Sequence, residues 1–225
     1  MTANAMTVRV GADSVSAVHE EATCAVTRRV VYIFAHGAGG NMMDRGMLAT
    51  ANALRGQGFG VLRFNFLYKE KKSGRPDLMP KLKETVAAVV DHARRELAPD
   101  VLIIGGRSMG GRAASMLAAE GFEADGLLLL AYPLHPAGKP EQLRDAHLPS
   151  ITMPVLCING TRDALCTKSI MDDVLTRVGP NWVMQWEEGA DHSFHVLKSS
   201  GRTDAQVVQS IAAGAALWLA SSTSR

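Results

Sequence analysis

Ser108, Asp163 and His192 are of the types, and stand in the chain order, that nucleophilic acyl transfer requires. A serine hydroxyl is a poor nucleophile at neutral pH, so a base must take its proton during attack and return it to the leaving group. His192 is the candidate base, and Asp163 is the acid that would hold the imidazole tautomer and stabilise the imidazolium. Ser108 lies at the centre of Gly106, Arg107, Ser108, Met109, Gly110, a G-x-S-x-G match. Such a match alone is weak, because any Gly-rich turn can produce it by accident. Here it follows the apolar run Val101 to Ile104 and precedes the small-residue stretch Arg112 to Glu120. That is the strand-to-helix setting in which a sharp turn lifts the serine Oγ off the strand end.

Similar contexts surround the partners. Asp163 closes the turn Asn159, Gly160, Thr161, Arg162, Asp163 after the buried-strand pattern Pro154 to Ile158, and an acid just past a strand end can reach the carboxyl edge of a sheet. His192 sits in Gly189, Ala190, Asp191, His192, Ser193, Phe194, after the strand-like Trp182 to Glu187. The order Ser, Asp, His differs from those of chymotrypsin and subtilisin. A fourth element is the strand Val30 to Ala35 followed by His36, Gly37, Ala38, Gly39, Gly40. A strand ending in His-Gly-x-Gly supplies one backbone N–H to an oxyanion hole, and the residue after the nucleophile supplies the other. These donors are assigned to Ala38 and Met109, and losing one such donor costs about 10² to 10³ in rate. Phosphate binding by Gly37 to Gly40 fails on detail: no Gly-Lys-Ser/Thr ending follows, and no clean G-x-G-x-x-G opens a helix.

The elements that must position these groups alternate along the chain. Short apolar runs predict strands near 30–35, 61–66, 101–106, 126–131, 154–159 and 182–187, and longer amphipathic stretches predict helices near 45–57, 77–97, 109–120, 167–178 and 203–220. This alternation argues an α/β architecture, a mostly parallel sheet flanked by helices. Residues 6–28 predict one or two weaker edge strands, and residues 1–29 read as edge strands or an N-terminal extension of one domain spanning 1–225. The interval Pro133 to Met153 has room for a loop or short helix but not a substantial cap, so the site is expected to be open.

A net charge of +2 with acids and bases intermixed gives no reason to expect a nucleic-acid partner. Cys24, Cys157 and Cys166 form neither a disulfide framework nor a zinc pattern. Cys157 reads as core, and Cys166, three residues after Asp163, as an ordinary loop thiol or one near the active-site rim. No cofactor or metal is expected. Residues 1–10 lack the apolar centre of a secretory signal, and the run Ile211 to Ala220 is too short to span a bilayer, so a cytoplasmic protein without membrane attachment is expected. Oligomeric state is left open.

Several other residues are candidates for lesser roles. Arg107 would either pair with an acid to brace the turn or face the pocket and bind a carboxylate. His135 could line the pocket or serve structure, His36 should organise the oxyanion loop, and His195 has no third ligand to suggest a metal. Asp191, adjoining His192, is expected to point away from its ring. The basic loop Lys69 to Pro76 reads as a solvated loop that could instead attract an anionic substrate.

Gly105 to Arg112, Ala35 to Gly39, Tyr132 to Pro140, Asn159 to Asp163 and Gly189 to Phe194 together resemble the small α/β-hydrolases of the testis-expressed protein 30 and KANSL3-like group, related to dienelactone hydrolases. The resemblance covers residues 30 to 220. It implies the α/β-hydrolase fold and carries the triad onto Ser108, Asp163 and His192, without supplying a substrate. The chemistry expected is hydrolysis of a small carboxylic ester or thioester through an acyl-enzyme. The alternatives are a peptidase or amidase using the same groups, and a non-catalytic interaction module on the same fold.

Overall fold

β3 (Val30–Ala35) is apolar and buried at every position. Val31, Ile33 and Ala35 pack into one cluster, and Val30, Tyr32 and Phe34 into another. A strand without a polar face must be covered on both sides, which is the signature of a parallel sheet between helices. β4 (Phe59–Phe64), β6 (Gly126–Leu130) and β7 (Val155–Gly160) are buried throughout, as is β5 (Val101–Arg107) up to its last residue. The structure, a computed structural model, describes residues 3–222.

One eight-stranded sheet results, in the order β1-β2-β4-β3-β5-β6-β7-β8, where β1 (Asn4–Val10) and β2 (Asp13–Glu20) are an antiparallel hairpin and β8 (Trp182–Glu187) is the far edge. β2 pairs antiparallel with β4, and every pairing from β4 to β8 is parallel. α1 (Arg45–Gly56) and α6 (Asp204–Ser222) contribute Met47, Leu54, Val207, Ile211 and Trp218 to the core on one face. α3 (Met79–Leu97), α4 (Met109–Ala119) and α5 (Lys168–Leu175) cover the other, and α2 (Leu67–Glu70) is a single turn after β4. Together these features are the α/β-hydrolase fold expected from the sequence. Between Pro133 and Met153 the chain makes a packed loop whose only regular piece is the 3₁₀ turn Leu148–Ser150, so no cap domain is inserted.

The chain passes from β3 to β4 on one side and then crosses back to place β5 on the other. The carboxyl ends of β3 and β5 are therefore a topological switch point, where the loops leaving them diverge and open a crevice. This is what brings the His36–Gly40 loop beside Ser108.

Three sequence-based boundaries need correction. β4 spans 59–64 and not 61–66, because Gly58, at φ +95°, turns the chain out of α1 directly into the strand, while Phe66 N–H leaves the ladder to donate to His36 Nε2. α5 is three residues shorter than expected at its C-terminal end, where Thr176 N–H turns to Asp173 O. In the N-terminal region, expected to give one or two edge strands over 6–28, the two strands are Asn4–Val10 and Asp13–Glu20, joined at Gly11 and Ala12, and β2 is not an edge because it also pairs with β4.

Candidate active site

β5 ends at Arg107, and Ser108 follows at φ 51° and ψ −116°. A non-glycine residue held there stores on the order of 1–3 kcal/mol of backbone strain. The turn is pinned by Ser108 N–H on Leu130 O and by Arg112 N–H on Ser108 O, both 2.9 Å. Crowding explains the flanking glycines: a Cβ on Gly106 would lie 2.5 Å from Ala35 O, and one on Gly110 2.6 Å from His36 O.

The loop after β8 is closed by a bridge between Ala190 and Val196 and by Asp191 N–H on His195 O at 3.0 Å. His192 sits at its tip. Its Nε2 lies 2.9 Å from Ser108 Oγ, and its Nδ1 lies 2.9 and 2.8 Å from the two oxygens of Asp163. The tautomer that satisfies both contacts carries its proton on Nδ1, leaving Nε2 to accept from the serine. Asp163 is buried, and its carboxylate is further fixed by Leu165 N–H at 2.8 Å and Asn159 Nδ2 at 3.1 Å. The three residues selected from the sequence thus form one hydrogen-bonded chain. Asn159, which the sequence places at the end of the predicted strand and the start of the turn, also exchanges hydrogen bonds with the Tyr132 backbone, tying β7 to the end of β6.

Ser108 opens into a cleft of about 540 Å³ lined by Gly37 to Gly40, Asp44, Met47, Leu165 and His192 among others. Ala38 is in its wall. Met109 N–H, the first of α4, has no intrahelical acceptor by position. The Gly37–Gly40 turn is held by Gly40 N–H on Gly37 O at 3.2 Å and by His36, whose Nδ1 donates to Gly37 O at 2.8 Å while Nε2 accepts from Phe66 N–H at 3.2 Å. Burial lowers the His36 pKa, in keeping with a neutral structural ring. Arg63 adds a support the sequence reading missed. It is 2% exposed, pairs with Glu20 at 2.6 Å and donates to Met42 O, while Asn65 Oδ1 accepts from Met42 N–H at 3.0 Å. The signal was a lone arginine inside the otherwise apolar β4.

Arg107 lines the cleft, but no acid among the described residues pairs with it. Its Nη2 donates to His192 O at 3.3 Å, so the bracing expected from a carboxylate comes from a carbonyl. His135 requires a correction as a pocket residue. It is 2% exposed, its Nδ1 donates to Pro136 O and its Nε2 accepts from Thr167 N–H, both at 3.0 Å, so its ring fastens the 165–167 loop and does not reach the cleft. Asp191 points away from the His192 ring, its Oδ1 accepting from the amides of Ser193 and His195. Cys166 is buried under the Asp163 turn and not an open loop thiol; burial pushes its pKa up. In the basic loop, Lys69 reaches Gly39 O at 3.2 Å and Lys71 pairs with Asp13 at 2.9 Å, and neither lines the cleft. His195 pairs with Asp204 at 2.9 Å on the surface, and that hydrogen bond raises its pKa.

A second serine–histidine contact, Ser115 Oγ to His147 Nε2 at 2.8 Å, differs in kind. Ser115 is fully buried and donates to Arg112 O, so the ring donates to the serine, and no acid pairs with His147 among the described residues. Burial and then the Arg112 charge push the His147 pKa down to about 4. Between that value and the ordinary 6.5, the unfolded chain binds a proton that the folded chain does not, so stability is lost as pH falls through this window. His147→Gln should flatten the decline of the urea midpoint between pH 6.5 and 4 relative to wild type; equal slopes in the two proteins would contradict this.

The strained serine turn between β5 and α4, on this mostly parallel sheet, defines the class as α/β-hydrolase. The chain belongs to the alpha/beta hydrolase domain family, which residues 28–220 match. Among solved structures it is similar to a lidless α/β serine hydrolase from Xanthomonas campestris, with 22% identity, a TM-score of 0.76, and 96% of this chain and 94% of that one covered. An α/β serine hydrolase homologue from Coxiella burnetii has 19% identity and a TM-score of 0.77, covering 95% and 98%. The dienelactone hydrolase of Anabaena variabilis has 20% identity and a TM-score of 0.75, covering 98% and 97%. No helix among the described residues is long and apolar enough to cross a membrane.

Proposed function

We propose that this protein is a serine hydrolase that cleaves small carboxylic esters or thioesters through an acyl-enzyme on Ser108. The observation that carries this reading is the unbroken chain from Ser108 Oγ to His192 to Asp163, with links of 2.9 and 2.8 Å, opening on an uncapped cleft. Ser108 Oγ attacks the carbonyl carbon as His192 Nε2 takes its proton. The resulting oxyanion is held by the N–H groups of Ala38 and Met109. His192 then protonates the departing alcohol or thiol, and afterwards draws a proton from water as that water attacks the acyl-enzyme. Asp163 stabilises the imidazolium in both halves. The names of the lidless and dienelactone relatives agree with a small substrate, and the narrower kinship with the testis-expressed protein 30 group belongs to this proposal, as does a single cytoplasmic domain without cofactor.

The test is a fluorophosphonate probe together with p-nitrophenyl acetate, butyrate and dodecanoate. We expect stoichiometric labelling on the peptide containing Ser108, and turnover that is higher for the two short esters than for the long one. Folded protein that neither labels nor turns over would sink the reading in favour of an interaction module.

A further inference from the structure

Arg107 stands where two cavities meet. One is the cleft of Ser108; the other is a pocket of about 560 Å³ whose walls include Ala49, Phe194 and Val208, and Arg107 and Ser193 line both. A guanidinium offers five N–H donors in a planar fork that matches a carboxylate. This one makes a single hydrogen bond among the described residues, to His192 O. Burial works against its charge while Asp191, Asp44 and Asp163 support it from a distance. All three acids are engaged elsewhere: Asp163 with His192, Asn159 and Leu165, Asp191 with the amides of Ser193 and His195, and Asp44 with Asn41. Gly46 makes room for the fork, since a Cβ there would lie 2.8 Å from Arg107 Nη1.

A cation half removed from water, with most of its donors unfilled, is a receptor for an anion that brings two acceptor oxygens. The site also has a fixed relation to the chemistry, because neighbouring Cα atoms are about 3.8 Å apart and Arg107 immediately precedes Ser108. We infer that Arg107 binds a carboxylate of the substrate, so that the preferred substrates are esters or thioesters carrying a free carboxylate a few bonds from the scissile carbonyl, with attached apolar atoms received by the second pocket. This rests on the serine hydrolase reading and narrows its substrate class.

The experiment compares monomethyl glutarate with methyl pentanoate, which share an acyl chain length and differ in the terminal carboxylate. For wild type, kcat/KM should favour the glutarate by roughly 10- to 100-fold, the range that hydrogen bonds to a charged group support. Arg107→Gln should bring that ratio close to one. Gly46→Ala, which keeps the charge but displaces the guanidinium, should lower the ratio as well. Using the ratio separates recognition from bracing, because a guanidinium that only steadies the His192 loop would lower both rates together. In Ser108→Ala protein, monomethyl glutarate should bind more tightly than methyl pentanoate by a similar factor. Fluorophosphonate labelling on the same samples keeps the two ideas apart. Labelled enzyme with a ratio near one, or a ratio unmoved in Arg107→Gln, overturns the carboxylate assignment and leaves the hydrolase standing; absent labelling overturns the hydrolase and this substrate class with it.

Discussion

Ser108→Ala is expected to lower kcat by roughly 10⁴- to 10⁶-fold and to abolish fluorophosphonate labelling, with no loss of folding stability. The separation of the two effects follows from the geometry. Alanine retains the Cβ that already occupies the strained turn, so the backbone at φ 51° meets no new clash. Among the described residues, the hydrogen bond removed is the hydroxyl's 2.9 Å contact with His192 Nε2. His192 and Asp163 keep their mutual hydrogen bonds, and residual catalysis would come from the oxyanion amides alone. Asp163→Asn should cost about 10⁴-fold, because an amide cannot stabilise the imidazolium and favours the wrong ring tautomer. Initial rates on p-nitrophenyl acetate, with circular dichroism melts of the same preparations, check both. A Ser108→Ala enzyme that still turns over near the wild-type rate would move the nucleophile elsewhere.

Much of this arrangement is legible in the chain because burial and chemistry act on local sequence. β3, β6 and β7 carry no polar face, so their apolar runs are unambiguous, and the Gly106 to Gly110 turn combines a strand, a helix and the required small residues within a dozen positions. Ends of elements are less legible where distant partners decide them. β4 ends because Phe66 N–H is captured by His36, 30 residues away. The same applies to supporting groups. Arg63 stabilises the Met42 backbone through contacts across β2 and the loop before α1, and Asn159, beside its local hydrogen bond to Asp163, is anchored by the Tyr132 backbone 27 residues away because β6 and β7 are paired. His135 misled for the reciprocal reason. Its sequence neighbours suggest a loop at the sheet edge, whereas its hydrogen bonds to the Thr167 segment turn it into the interior.

The coupling between the acid loop and the histidine loop concentrates at Gly160, and Gly160→Ala should damage stability and reactivity together. Gly160 ends β7, three residues before Asp163, and a Cβ there would fall 2.1 Å from Ala190 O and 2.5 Å from Ala190 C. Neither obstacle is a side chain able to rotate away. Ala190 O also accepts from Arg162 N–H at 2.9 Å, and Ala190 N–H donates to Glu187 O at 3.2 Å, so moving Ala190 strains both loops. Overpacking a closed site costs about 1–3 kcal/mol, and a backbone obstacle puts this substitution at the upper end. Whatever shift relieves the clash must displace Asp163 from His192 or His192 from Ser108, and a misplacement near 1 Å costs on the order of 10²-fold in rate. Gly56→Ala is the matched control, because it lies at the end of α1 with nothing within 4 Å of the added Cβ and should be neutral or slightly stabilising. Urea midpoints and fluorophosphonate labelling rates for the two variants decide the matter. A Gly160→Ala protein as stable and as reactive as Gly56→Ala would mean that the two loops are not held in contact at Ala190, and that the alignment of Asp163 with His192 is maintained by other means.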